Sequence, residues 1–360
     1  MILFPLKSLN ITIGLYRGCC EKNHAILYRE RSCMIKERRG YFSTILYCLQ
    51  NRKFKCVLLQ SLKSIIIVSI TYYKKCKYIL VRFSHRKNGR EIILEINNRY
   101  KMSLNFDDKG ICTELIVNKT REVFSTNHFQ KIITENMTII DIGANIGYYA
   151  LLESQLASKG HIHAIEPVLG TYNLLKKNIA LNNCTNISTY NFAIADVDGY
   201  KDMYIYDKCN WSSFTKNPEG TIIDTIQVPI FTLDKFIESY GTQHPHFIRM
   251  DVEGFEYEIL MGSQKTLQKP GPLIFCIEIH PHLISKEKVT TIIDLMKDNG
   301  FTINSIFIDM DLSEFKFINL FNQLQNSLQL PLYGYIGNDF SSLEQRLAHG
   351  GAIVFFEKSN

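Results

Sequence analysis

Residues Thr138 to Leu152, TIIDIGANIGYYALL, constrain the fold more than any other part of the chain. Ile139, Ile140 and Ile142 are β-branched and apolar with only Asp141 between them, which predicts a buried strand. Gly143 and Gly147 then bracket Ala144, Asn145 and Ile146, so the backbone can turn tightly and present free N–H groups above the strand. From Tyr148 to Ala157 there is no Gly or Pro, and Ile146, Tyr149, Ala150, Leu152 and Leu156 give a helix an apolar stripe to lay on a sheet. Strand, glycine loop and helix make the first unit of a doubly wound α/β sheet, whose ligands bind beyond the carboxyl ends of its strands.

The spacing limits the ligand. A dinucleotide site takes G-x-G-x-x-G, whose close glycines admit a pyrophosphate. Here the spacing is G-x-x-x-G, and Asp141, just ahead of the first glycine, would repel a pyrophosphate and attract an amino-acid ammonium. That favours S-adenosylmethionine over NAD. His161 to Ile165 reads as the second strand and ends at Glu166-Pro167, about 20 residues past the loop, where an acid commonly bonds ribose hydroxyls.

Further strands bring chemistry to the same edge. Ile187 to Ile194 reads as the third strand, and the turn Ala195-Asp196-Val197-Asp198-Gly199 is a place for an adenine ring, with Asp196 accepting from its exocyclic amine. Residues 200–230 read as a strand pair, followed by a short helix capped by Thr232. Phe247 to Met250 is the fourth strand, with Asp251 and Glu253 at its carboxyl end, and Leu273 to Ile279 is the fifth, delivering Glu278 and His280. Two carboxylates and a histidine beside a cofactor pocket supply candidates for a general base. Upstream, Glu91–Ile96, Asn97-Asn98 and Arg99–Phe106 read as a hairpin, and Thr113 to Ile133 as mixed helix. Downstream, Ile292–Asn299 reads as a helix, and Phe301–Ile308 and Gly351–Phe356 as strands; Tyr333 and Tyr335 in the stretch between are candidates for acceptor contacts.

Charge is divided unevenly. The first hundred residues hold 20 of the 41 Lys and Arg but 5 of the 35 Asp and Glu, a net +15 against −9 for the remainder. A basic leader on an acidic body suggests contact with a phosphate-bearing surface, membrane or nucleic acid. Residues 56–73 are apolar but interrupted by Lys63, too short and too polar at the centre for a membrane span. With their basic flanks, residues 53–77 suit either a helix packed on its own domain or a peripheral membrane contact. The ten cysteines include no C-x-x-C pair and no Cys/His spacing that suits zinc, so no metal ligands are assigned. Reduced thiols and an N-terminus without a basic segment or cleavage site point to the cytoplasm.

In order, DIGANIGYYALL, AIEP, NFAIADVDG, FTLDKFI, FIRMDVEGFEYEILMG and IEIHP resemble the FkbM-type S-adenosylmethionine-dependent methyltransferases. The resemblance implies a class I methyltransferase fold: a Rossmann-like, mostly parallel seven-stranded sheet with an antiparallel final hairpin. In this chain residues 91–360 would form that domain, with core 131–357, behind a hairpin lead-in and a basic, helical extension at 1–90. It also implies that Asp141, Gly143, Ala144, Asn145 and Gly147 hold the methionine end of the cofactor. Glu166 would take the ribose and Asp196 would lie near adenine, with Asp251, Glu253 and His280 as base candidates. Arg249 departs from the Lys that many members carry. The implied activity is methylation of a hydroxyl on a sugar, glycan or small metabolite. Asn217-Pro218-Glu219-Gly220 lacks the aromatic of an N-P-P-Y tetrad, which argues against methylation of a base amino group. A methyltransferase for RNA ribose or protein, and an inactive membrane-surface scaffold, are the alternatives.

Overall fold

The computed structural model describes residues 73–85, 89–218, 220–240, 244–308, 334–348 and 351–359. Its main sheet has the order β12-β11-β13-β10-β9-β3-β4-β5, where β3 is Thr138–Ile142, β4 His161–Ile165, β5 Ile187–Tyr190, β9 Phe247–Met250, β10 Leu273–Ile279, β11 Thr302–Ile308, β12 Gly334–Gly337 and β13 Ala352–Lys358. Strands β10, β9, β3, β4 and β5 run parallel, while β13 lies antiparallel between β10 and β11. Seven of these strands form the expected class I sheet; β12 adds an eighth at the edge beyond β11. The strand order reverses at β3, so the crevice above the carboxyl ends of β3, β4 and β9 is where such a sheet takes a ligand.

Each face of the sheet carries its own apolar core. Ile140, Ile142, Ile165, Ile248 and Met250 pack on one side with the helix Glu256–Met261; Ile139, Ile162, Ala164 and Phe247 pack on the other with Tyr148–Leu156. On that second side the hairpin of β1 (Glu91–Ile96) and β2 (Tyr100–Asn105) closes the layer. Asn97 and Asn98 both take positive φ (54° and 53°) in a turn closed by Arg99 N donating to Ile96 O at 3.0 Å. The free edge of β2 is covered by the helix Leu169–Leu181: Ser103 N donates to Asn178 Oδ1 at 2.7 Å and Lys101 N to Asn182 Oδ1 at 2.8 Å. Asn178 Nδ2 in turn donates to Ile146 O at 2.8 Å, so the hairpin is tied to the glycine loop.

The third strand is divided. β5 stops at Tyr190, and β6 (Ala193–Ala195) leaves the main sheet to pair with β8 (Ile222–Thr232) in a small sheet of order β6-β8-β7, β7 being Gly199–Tyr206. Asn191 marks the break, its Nδ2 donating to the carbonyls of Glu166 (3.0 Å) and Pro167 (2.9 Å). Thr232 caps the following helix as expected, accepting from Lys235 N at 3.1 Å.

A helix over residues 73–84 precedes the hairpin, held through Tyr78, whose hydroxyl donates to Phe106 O, and Arg82, paired with Asp107 at 3.3 Å. Residues 53–72 of the segment considered for membrane contact lie outside the described residues, as does Tyr333. Among the described residues no helix is long and apolar enough to cross a membrane.

Candidate active site

A cleft opens above the carboxyl ends of β3, β4 and β9, where a doubly wound sheet takes its ligand. Gly143 lies on its floor at φ +83°, and a Cβ there would stand 2.1 Å from Asp251 O, so only glycine lets the loop lie against the β9 end. Gly147, at φ +94°, lies under the loop, where a Cβ would stand 2.7 Å from Leu175 Cδ1.

The expectation of free N–H groups is corrected by the loop's own hydrogen bonds. Gly143 N and Ala144 N both donate to Ile165 O at 3.0 Å, and Asn145 N donates to Glu166 Oε2 at 3.0 Å. Ile146 N donates to Asn145 Oδ1 at 2.8 Å and Gly147 N to Ala144 O at 2.9 Å. The β4 end is so close that it consumes the donors, and the loop is not a phosphate cradle.

Glu166 directly follows the carboxyl end of β4. It lines the cleft while its two oxygens accept from Asn145 N and from Val168 N (2.9 Å). Burial raises its pKa to about 7, against the pull of those two N–H groups. A carboxylate oxygen accepting one N–H keeps a lone pair for a ligand hydroxyl.

Asp141 does not reach the cleft directly. It is fully buried, and its Oδ1 accepts from Arg249 Nη1 at 3.0 Å; Arg249 Nη2 donates to Asp251 Oδ2 at 2.9 Å. Asp141 and Arg249 face each other in register across β3 and β9, and Asp251 follows Arg249 on the same side of its strand. The guanidinium fork therefore bridges both acids, and the direct attraction of Asp141 for an ammonium is replaced by this buried pair. Burial raises the Asp141 pKa against the opposing Arg249 charge. Behind it Glu153 is 0% exposed with neither oxygen paired among the described residues; burial, then the neighbouring Asp141 charge, pushes its carboxyl well above the usual range.

Tyr149 links this pair to a second cation. Arg249 Cζ stacks 4.2 Å from the Tyr149 ring centroid, and the Tyr149 hydroxyl donates to Glu122 Oε2 at 2.6 Å. Glu122 Oε1 accepts from Arg121 Nε, and Arg121 lines the cleft. Tyr148 fixes Arg121 by its backbone: its hydroxyl donates to Arg121 O at 2.8 Å and accepts from Arg121 N at 3.0 Å. Nothing in the sequence around Arg121 marks it as a site residue, because its position depends on a tyrosine 27 residues away.

The other wall comes from the small sheet. Ala193, Ile194, Met203, Cys209, Asn210, Ser212 and Phe214 line the cleft. Asp196 does not: once β6 turns toward β8, the side chain is exposed beyond the wall, and Ala193 and Ile194 occupy the position expected for it.

At the mouth, Asp251 and Glu253 line the cleft and His280 stands behind Glu253, its Nε2 3.7 Å from Glu253 Oε2 and 3.5 Å from Glu278 Oε1. His280 Nδ1 lies 2.6 Å from Glu256 Oε1. Although burial opposes it, the surrounding carboxylates hold the imidazole pKa well above its ordinary value. Burial raises Glu253 to about 8 despite the His280 charge. Glu253 has φ +50°, an uncommon conformation for a side-chain-bearing residue. It is pinned by Ser213 Oγ donating to Glu253 O at 2.7 Å and Thr215 Oγ1 to Gly254 O at 2.9 Å.

Residues 141–303, from the bridged Asp141 to the strand after His280, match the family model described as the methyltransferase FkbM domain. Over those residues the chain is similar to that domain. Two curated relatives align with it. Hexuronic acid methyltransferase AglP of Haloferax volcanii is 26% identical over 178 residues, 47% of this chain and 70% of its own. Methyltransferase 1 of Beauveria bassiana is 25% identical over 142 residues, 34% of this chain and 57% of its own. Among solved structures, M. jannaschii TYW2 in complex with AdoMet superposes with a TM-score of 0.37 at 11% identity, over 74% of this chain and 85% of that one. The strand order of the main sheet, rather than that superposition, establishes the class I fold.

Proposed function

We propose that the chain is an S-adenosylmethionine-dependent O-methyltransferase whose acceptor is a hydroxyl of a sugar or glycan. One observation carries the reading of the cofactor: Glu166 lines the cleft with two carboxylate oxygens that each accept a single N–H, while the N–H groups of residues 143–147 are spent within the protein. Such a floor suits a ligand that offers a ribose diol and disfavours one that offers a pyrophosphate.

The residues present fit that cofactor. Glu166 would accept from the ribose hydroxyls, and Ala193, Ile194, Val168 and Phe255 supply apolar surface for the purine. The two cations at the cleft, Arg121 and Arg249, suit the methionine carboxylate. When bound, the cofactor supplies an electrophilic methyl on a sulfonium, so the protein needs to orient the acceptor and take its proton rather than activate the donor. Asp251 and Glu253 present carboxylate oxygens at the mouth, where an acceptor hydroxyl is oriented and gives up its proton as its oxygen attacks. Phe214 and Phe255, in contact at 4.7 Å between centroids, limit water on that side.

The sugar acceptor draws support from the similarity to a hexuronic acid methyltransferase. The test is transfer of labelled methyl from S-adenosylmethionine into separated carbohydrate, RNA and protein fractions. Label in carbohydrate is expected; label confined to RNA or protein would overturn the acceptor class. Failure of S-adenosylhomocysteine to bind would overturn the cofactor.

A further inference from the structure

We propose that Asp251, Glu253 and His280 form a binding site for a divalent cation of the Mg²⁺/Mn²⁺ type at the mouth of the cleft. One ligand atom from each, a carboxylate oxygen of Asp251 and of Glu253 and a ring nitrogen of His280, can be chosen so that all lie within 4.8 Å of one another. An octahedral cation with bonds of about 2.1 Å spaces its ligands about 3–4.2 Å apart, so the three need to close by no more than about 1–2 Å.

Three features set this trio apart from an ordinary acidic patch. The first is the histidine's support. Glu256 is fully buried, and its Oε1 lies 2.6 Å from His280 Nδ1, which leaves Nε2 as the nitrogen turned toward Glu253 and Glu278. A carboxylate behind a ligating histidine fixes the ring and its tautomer in just this way. The second is charge. Arg249 is shared between Asp141 and Asp251, while Glu253, Glu256 and Glu278 gather around the His280 imidazole, with the Arg121 charge acting on Glu278 as well. Buried carboxylate oxygens remain without hydrogen-bond partners among the described residues, Glu256 Oε2 and Glu278 Oε2. Carboxylates crowded at a buried site repel one another, and a dication held among them would offset that repulsion. The third is rigidity. The positive φ of Glu253 and Gly254, the hydrogen bonds from Ser213 and Thr215, and Leu283 against Gly254 hold the Glu253 side chain beside His280 without a metal.

The donor set names the cation class. Oxygen ligands with one imidazole suit Mg²⁺ or Mn²⁺, whereas the thiolates that favour softer metals do not enter the trio. Asp251 and Glu253 face the cleft, so the cation's open positions would face the acceptor. There it would bind the acceptor hydroxyl and lower its pKa, so that the O–H proton leaves to solvent or a carboxylate before the oxygen attacks. That role rests on the methyl-transfer reading; binding of the cation does not.

The test is a Mn²⁺ titration of the chelator-treated full chain followed by electron paramagnetic resonance, with Mg²⁺ as competitor. One Mn²⁺ per chain, displaced by Mg²⁺ and weakened at least tenfold in Glu253→Gln and His280→Gln, is expected. A pulsed measurement on the unaltered chain should show coupling to one directly bound imidazole nitrogen, which needs no variant to fold. Absence of stoichiometric Mn²⁺, or of the nitrogen coupling, overturns the site. Calorimetry with S-adenosylhomocysteine separates the two claims. Nucleoside binding without Mn²⁺ binding sinks the metal alone, and Mn²⁺ binding without nucleoside binding supports the metal and sinks the methyl-transfer reading.

Discussion

If Glu166 grips ribose hydroxyls, it must do so as a carboxylate, and its titration should appear in the binding curve. Its pKa in the folded chain is raised by burial to about 7. Below that value the protonated acid offers one fewer acceptor to two O–H donors. Affinity for S-adenosylhomocysteine should therefore fall as pH falls, and at pH 6 it should be about tenfold weaker than at pH 8. Glu166→Gln should remove this slope. The variant must also set an amide NH₂ against the N–H of Asn145 or Val168, losing one hydrogen bond, so its affinity at pH 8 should be about tenfold lower, or about 1.4 kcal/mol. Calorimetry at several pH values, repeated in buffers of different ionisation enthalpy, reads both affinity and proton release. A flat profile in the unaltered chain, or the same slope in the Gln variant, would refute the assignment. The sign for folding is the reverse of a usual carboxylate. The folded acid binds its proton more tightly than the unfolded one, whose pKa is near 4.5, so its contribution is fully present below about pH 4.5 and is lost as pH rises through 7, by at most about 3 kcal/mol.

Other expectations follow from the same network. Arg249→Met leaves Asp141 and Asp251 without their shared cation, and urea unfolding should show a loss of about 3–5 kcal/mol; a loss under 1 kcal/mol would mean the pair is not a buried ion bridge. Gly143→Ala places a Cβ 2.1 Å from Asp251 O and should cost about 3 kcal/mol or more with loss of nucleoside binding. Gly271→Ala, at φ +113° with open space around it, should cost about 1 kcal/mol and leave binding intact, and equal effects would contradict the contact argument. Tyr148→Phe removes the hydroxyl that holds the Arg121 backbone and should cost about 1–3 kcal/mol in unfolding while weakening S-adenosylhomocysteine; unchanged affinity would take Arg121 out of the site.

Much of the architecture was legible because it is written in local patterns. The strand–loop–helix at Thr138–Leu156, the Asn97-Asn98 hairpin, the Thr232 cap and the placing of Glu166 all follow from neighbours within a few residues. What escaped depends on contacts between distant segments. The residues Ile187 to Ile194 carry no mark of a break, since it is Asn191 bonding to carbonyls 24 and 25 residues earlier that parts β5 from β6. The loop N–H groups looked free until Ile165 O came within reach. Arg249 was visible only as a substitution for lysine; its meaning comes from lying opposite Asp141, and one rigid fork can bridge two acids where an ammonium offers a single point of charge.

The departure of β6 from the main sheet has an evolutionary consequence. Two structurally separate surfaces meet at the cleft: the parallel strand ends carry Glu166 and Arg249, and the β6-β8-β7 sheet with the turn at Cys209–Trp211 carries Met203, Cys209, Asn210 and Ser212. The second surface can change its side chains, or lengthen its connection between Tyr206 and Ile222, without moving a strand of the first. A chain built this way can remodel one wall of its cleft while the strand ends that form the other wall stay in place.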